Sequence, residues 1–216
     1  TIDGNNTLSG IAKQRIKGKP FVCTEYQHPS PNYYGGEGPL LLAAYAGLQD
    51  WDGLWLFDYG QGNPSSPLGS VRSYFQISQH PTKMANLLLA AHLFRRADVK
   101  PAQQEFTLAL TPERETDFLL NSSAWSVFSG GQLGLPGKML FASRVSSDVG
   151  SSATGLPTAP VGPAGDVVTS DTGELSWDTQ GTNGLVKINT RQTKALIGFA
   201  DNQSIRMDGI LFQPGT

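Results

Sequence analysis

The sequence predicts two kinds of structure in one chain, an α/β half followed by an all-β half, and three observations carry that expectation. Apolar strand-like runs alternate with longer helix-like stretches from the start to Pro101, which is the grammar of βα units built on a parallel sheet. Beyond Pro101 the helical period disappears, and short alternating runs take over, punctuated by Gly, Pro, Ser and Asp. The number and spacing of those runs favour a sandwich or jelly-roll-like module over an open sheet. The expected division is therefore residues 1–101 and residues 102–216.

Residues 7–17 carry a short helix-like pattern (Leu8, Ile11, Ala12, Ile16) with no strand before it, so the opening reads as mid-domain. It also lacks the basic start and apolar run of a secretion signal, which leaves room for an upstream segment removed by deletion or processing. Residues 19–26 (KPFVCTEY) are β-formers that end in polar groups and open into a Pro/Asn/Gly-rich loop, 28–38. Pro39 stands where a first helical turn begins, and Leu40, Leu41, Ala44, Tyr45 and Leu48 follow at spacings of three and four. Asp52 and Gly53 turn the chain into 53–59 (GLWLFDY), an almost wholly apolar run of the kind covered on both faces. After a loop over 60–79, Thr82 is the expected cap of a helix. Its stripe is Leu87, Leu88, Ala91 and Phe94, and Arg95 and Arg96 complement its C-terminal dipole. The later strand candidates are 106–110, 124–128, 139–142, 167–169, 175–177, 185–189, 195–199 and 210–212, with 151–165 as a surface loop.

Composition narrows the function classes. The 216 residues are 38% hydrophobic, enough for a packed core. Sixteen basic against eighteen acidic residues give a net charge of -2 with no basic cluster, which argues against a nucleic-acid partner. The longest apolar stretches, 40–48 and 87–93, fall far short of the roughly 20 residues that span a membrane. The single Cys23 excludes an intrachain disulfide and a multi-cysteine zinc site, and inside a strand it reads as a small buried apolar residue. His28 and His80 each precede a proline and His92 lies within a helix pattern, so a three-histidine metal site is not expected. The acidic stretch 166–174 reads as solvated turn rather than a calcium loop. No metal and no cofactor is therefore expected. The absence of a G-x-S-x-G elbow argues against an α/β-hydrolase triad.

The chemistry gathers at two strand ends. Glu25 and Asp58 each stand where a βα strand opens into its loop, the edge at which parallel α/β barrels build active sites. Tyr26, Gln27, His28, Asn32, Tyr33 and Tyr34 follow the first, and Trp55, Phe57, Tyr59, Gln61 and Asn63 surround the second. Flat aromatic faces suit the C–H surfaces of sugars, and amides, carboxylates and imidazoles suit their hydroxyls. A plainer reading stands beside this one. Glu25 is also what an ordinary solvated or ion-paired loop residue looks like, Asp58 a cap, and His28 a brace for its loop. Trp51 and Trp55 read as core, which leaves Tyr59 as the better stacking platform.

The segment KPFVCTEYQHPSPNYYGGEGPLLLAAYAGLQDWDGLWLFDYG resembles strands seven and eight of the large clan of retaining glycoside hydrolases that includes cellulases and β-galactosidases. The likeness covers roughly the first hundred residues. It implies the last strands of a (β/α)₈ barrel followed by a β-sandwich accessory domain. It also implies Glu25 as catalytic nucleophile and Tyr59 or Trp55 stacked on a sugar, while residue type and strand-end position place Tyr26, His28, Asn32 and Asp58 as the expected substrate-binding residues. In that clan the acid/base Glu ends strand four, commonly after an Asn, and has no counterpart here. Glu37 precedes a helix and reads as a complement to its dipole. A whole barrel takes about 250 residues, and two strands cannot close one. The resemblance thus implies the C-terminal part of a longer enzyme, or a homo-oligomer in which a second copy supplies the missing walls. The expected activity is retaining hydrolysis of a β-linked glucan or galactoside, with an oligo- or polysaccharide substrate and a secreted or periplasmic setting. The alternatives are a non-catalytic carbohydrate-binding fragment, or a structural assembly module.

Overall fold

The computed structural model describes residues 7–60, 70–121, 135–150, 152, 162–179, 184–200 and 202–213. The first elements are α1 (Thr7–Ala12), β1 (Val22–Tyr26), α2 (Gly38–Leu48), β2 (Gly53–Leu56) and α3 (Pro81–Arg95). β1 and β2 pair in parallel with α2 as the crossover. Their entry is closed by a reciprocal pair: the Phe21 amide donates to the Asp52 carboxylate and the Asp52 amide donates to the Phe21 carbonyl, both at 2.8 Å. α2 begins with Pro39 in its first turn and buries nearly every residue, so it has no polar face to give to water. Trp51 is core, packed against Phe21 at a ring-centroid distance of 5.2 Å.

Three expectations for this half need correction. α3 is capped by His80, whose Nδ1 accepts from the Lys83 amide, and not by Thr82. Its inward seam is Lys83, Ala90 and Leu93 with Leu87 and Phe94 half-buried, whereas Leu88 is 64% exposed and Ala91 faces out. Residues 87–91 (LLLAA) are apolar all round, so periodicity there cannot select a face. β2 is not covered on both faces either. Leu54 and Leu56 are half-buried, while Trp55 and Phe57 are exposed and Trp55 is not core.

The second half is less purely β than its sequence predicts. β3 (Glu105–Leu110) leads into α4 (Pro112–Asn121), and α5 (Met139–Ala142) leads into β4 (Arg144–Val149). β3 and β4 run parallel from Glu105 opposite Arg144 to Leu110 opposite Val149, and Ile16 bridges to Ser147. The expected strand over 139–142 is therefore a helical turn. A four-residue apolar run fits either structure, and here Met139, Leu140 and Phe141 are all buried. The helical period does not vanish after Pro101, because α4 opens on Thr111, Pro112 and two acids, a regular helix start. β4 escapes a hydrophobicity scan because Ser146 and Ser147 fill buried positions. The candidate strand 124–128 lies outside the described residues, as does most of the 151–165 loop.

Four strands then form an antiparallel meander in the order β5 (Val167–Thr169), β6 (Leu175–Asp178), β7 (Leu185–Asn189) and β8 (Lys194–Gly198). A separate hairpin, β9 (Ile205–Met207) with β10 (Ile210–Phe212), turns on Asp208 and Gly209, both at positive φ as such a tight turn requires. Among the described residues the strands lie in four small sheets, and none closes into a barrel.

One hydrophobic cluster runs through both halves of the chain. Tyr45 of α2, Phe141 of α5 and Trp177 of β6 form an aromatic triad with ring centroids 4.9 to 5.8 Å apart. Beside it Gln49 is only 1% exposed. Its Nε2 donates to the carbonyls of Leu140 and Ser143, both at 2.7 Å, and its Oε1 accepts from the Val145 amide at 3.0 Å. The acidic stretch 166–174 is only partly the expected turn, closed by the Gly173 amide on the Ser170 carbonyl. It contains β5, Asp171 accepts from the amides of Gln103 and Gln104, and Glu174 accepts from that of Lys100.

Candidate active site

The site is built around an irregularity in β1. Cys23 stands opposite Leu54 and Tyr26 opposite Leu56, so Thr24 and Glu25 together face the single residue Trp55. A strand with one extra residue kinks and re-aims the side chains it carries. Here Thr24, Glu25 and Trp55 are all exposed, at the C-terminal end of a parallel pair. No hydrogen bond or ion pair engages the Glu25 carboxylate among the described residues.

Past the strand ends, the segment 74–78 laces the two loops together. Phe57 donates its amide to the Tyr26 carbonyl, Asp58 to that of Phe75, Ile77 to that of Asp58 and Ser78 to that of Tyr59, at 2.9 to 3.2 Å. The Ser30 amide reaches the Tyr74 carbonyl, and the Gln27 side chain reaches that of Phe75. This lattice of backbone bonds holds an exposed aromatic surface past the ends of β1 and β2. Trp55 is 58% exposed, Tyr59 64% and Tyr74 71%, with Phe57 edge-on to Phe75. Asp58 is half-buried, and its Oδ1 is buried with no hydrogen-bond partner. Gln61 and Asn63 lie outside the described residues.

No family model, curated protein or solved structure matches this chain. The reading of the site therefore stands on its chemistry. Among the described residues no group of three or more His, Cys, Asp or Glu is placed to hold a metal ion, and no helix is long and apolar enough to cross a membrane.

Tyr26 and His28 bond their polar side-chain atoms inside the loop that follows β1, and Asn32 bonds its Oδ1 there. The Tyr34 carbonyl can only accept, so His28 Nδ1 carries the proton there (3.2 Å), and Nε2 accepts the hydroxyl of the buried Tyr26 at 2.9 Å. Asn32 Oδ1 accepts from the Tyr34 amide at 2.8 Å. The loop is also pinned from α3. Lys83 is fully buried and its ammonium donates to the His28 carbonyl at 2.5 Å, with Gly35 packed on its side chain. Burial lowers the Lys83 pKa. Sequence reasoning missed Lys83, Tyr74 and Phe75. The signal for Lys83 was available, because it falls seven residues before Ala90 on the inward seam of α3.

Burial, with the nearby Lys83 charge, also holds the His28 pKa below its ordinary 6.5, and the Tyr34 carbonyl opposes this only in part. The unfolded chain then binds a proton more readily than the folded one. This contribution to stability is fully present above pH 6.5 and is lost as the pH falls towards the folded value. His80 is shifted in the same direction, again chiefly by burial. Melting followed at about pH 7.5 and about pH 5 is expected to show a drop that shrinks in His28→Gln. An undiminished drop in that variant would assign the acid sensitivity elsewhere.

Proposed function

We propose that this chain carries the nucleophile end of a retaining β-glycoside hydrolase acting on a β-linked glucan or galactoside. The observation that carries the reading is the exposed, unpaired Glu25 carboxylate at the irregular end of β1, facing an exposed Trp55 in the strand register, with the exposed Tyr59 three residues past the end of β2. Aromatic faces hold the C–H side of a pyranose, and the carboxylate lies open to attack its anomeric carbon. In the first step a Glu25 oxygen bonds to that carbon as the bond to the leaving oxygen breaks, and a second carboxyl group gives the leaving oxygen its proton. That group then takes a proton from water, which displaces Glu25 with the original anomeric configuration restored. The mechanism places the two carboxyl groups about 5 Å apart. The resemblance puts the acid/base on an earlier barrel strand, contributed by a longer polypeptide or a second copy. Tyr26, His28 and Lys83 act on this reading by fixing the loop that flanks the nucleophile.

An aryl 2-deoxy-2-fluoro-β-glycoside tests it, since the fluorine slows the release of the covalent intermediate. The expected result is a mass gain of one fluoroglycosyl group, mapped to the peptide containing Glu25. Labelling at another residue would reject the assignment.

The exposed Trp55, Tyr59 and Tyr74 also support a second reading, a saccharide-binding surface without turnover. Calorimetry with cello-oligosaccharides, run beside the hydrolysis assay on one preparation, separates the two.

A further inference from the structure

Behind the loop that follows β1 lies a second concavity, of about 330 Å³, and neither Glu25, Trp55 nor Tyr59 lines it. Its walls come from three places: that loop with the start of α2, the start of α3, and β8. Two contacts hold these walls together. Asn86 Nδ2 donates to the Gly36 carbonyl at 2.6 Å, tying α3 to the loop, and the Tyr34 ring meets Phe199 edge-on at 5.9 Å, tying the loop to the end of β8. The cleft is thus preformed, and its volume falls in the range of about 300–1,000 Å³ that small-molecule sites occupy.

Its polar groups form a complementary set. Glu37 sits at the N-cap of α2, yet its side chain makes no capping bond, and the half-buried carboxylate has no partner among the described residues. Asn86 commits its amide nitrogen to Gly36 and keeps its Oδ1 as an acceptor. His80 Nδ1 accepts from the Lys83 amide, which leaves the ring proton on Nε2 as a donor. Leu40, Leu196 and Ile197 supply the apolar wall. Burial raises the Glu37 pKa, as expected of a carboxylate short of donors.

An anion is disfavoured by Glu37, and an ammonium would match the two acceptors while leaving the His80 donor unanswered. Hydroxyl groups, each donor and acceptor at once, satisfy all three, and the C–H face of a sugar ring suits the leucines. We propose that this cleft is a saccharide-binding site separate from the Glu25 face, taking one pyranose unit through hydroxyl contacts to Glu37, Asn86 and His80. The proposal stands on the lining residues and does not require Glu25 to be a nucleophile.

The test is an amide-detected NMR titration of the full chain with methyl β-D-glucopyranoside, in a Trp55→Ala/Tyr59→Ala/Tyr74→Ala background that removes the exposed platform. Saturable shifts are expected at Gly36, Gly198 and the Asn86 side-chain amide. Glu37→Gln is expected to weaken them about tenfold, the loss of one charge-assisted hydrogen bond. Leu196→Trp, which fills the cleft without touching its polar groups, is expected to abolish them. No saturable shift at these positions, or shifts that survive both substitutions, would overturn the proposal, as would saturation by ethylammonium instead of the sugar. The two proposals fail separately. Shifts retained without fluoroglycoside labelling count against Glu25 alone, and labelling without these shifts counts against the cleft alone.

Discussion

Glu25→Gln is expected to lower kcat for an aryl β-glycoside by roughly 10⁴-fold or more, because it removes the atom that forms the covalent bond and leaves an amide that cannot replace it. The same substitution should shift stability by no more than about 0.5 kcal/mol, since the side chain is exposed and unpaired. Both quantities are read on one preparation, by steady-state kinetics in the complete active form and by thermal melting. Wild-type turnover in the variant would end the nucleophile assignment. A collapse in stability would show instead that the carboxylate holds the strand together.

The largest structural effect is expected at Gln49. Gln49→Leu keeps the volume and removes three hydrogen bonds at once, stranding the carbonyls of Leu140 and Ser143 and the amide of Val145 in the core. Each stranded group costs about 1–3 kcal/mol. With partial relaxation, the expected loss is about 3–5 kcal/mol, measured by urea unfolding. A loss under about 1 kcal/mol would mean that water or a backbone shift satisfies those groups and that this side chain does not join α2 to α5 and β4.

What could be read from sequence depended on how much of each signal was local. β1, α2, β2 and α3 are each announced by composition and turn residues within their own span: the β-formers before Glu25, Pro39 at a first turn, Asp52 and Gly53 before an apolar run. The seam of α3 was only partly legible: a run of leucines and alanines carries no phase, and although Lys83 falls in step with Ala90, the loop that buries it lies more than forty residues upstream. The pairing of β3 with β4 was hidden by the buried Ser146 and Ser147, of which Ser146 bonds across the strands to Thr107. At the candidate site, Glu25, Trp55 and Tyr59 were singled out from residue type and strand-end position, and all three are exposed. That Thr24 and Glu25 share one partner is a property of register, which no single strand records. Tyr74 and Phe75 were missed for a similar reason, since a loop segment declares its neighbours only through backbone bonds made after folding.

The aromatic triad of Tyr45, Phe141 and Trp177 has a bearing on how this chain can be cut or shuffled. Separation at residue 101 would strip Phe141 and Trp177 from α2 and leave Tyr45 wetted. The carboxy-terminal residues Phe141 and Trp177 are therefore upholstery for α2. Any graft that moves the Glu25 loop to another host must carry that lining with it.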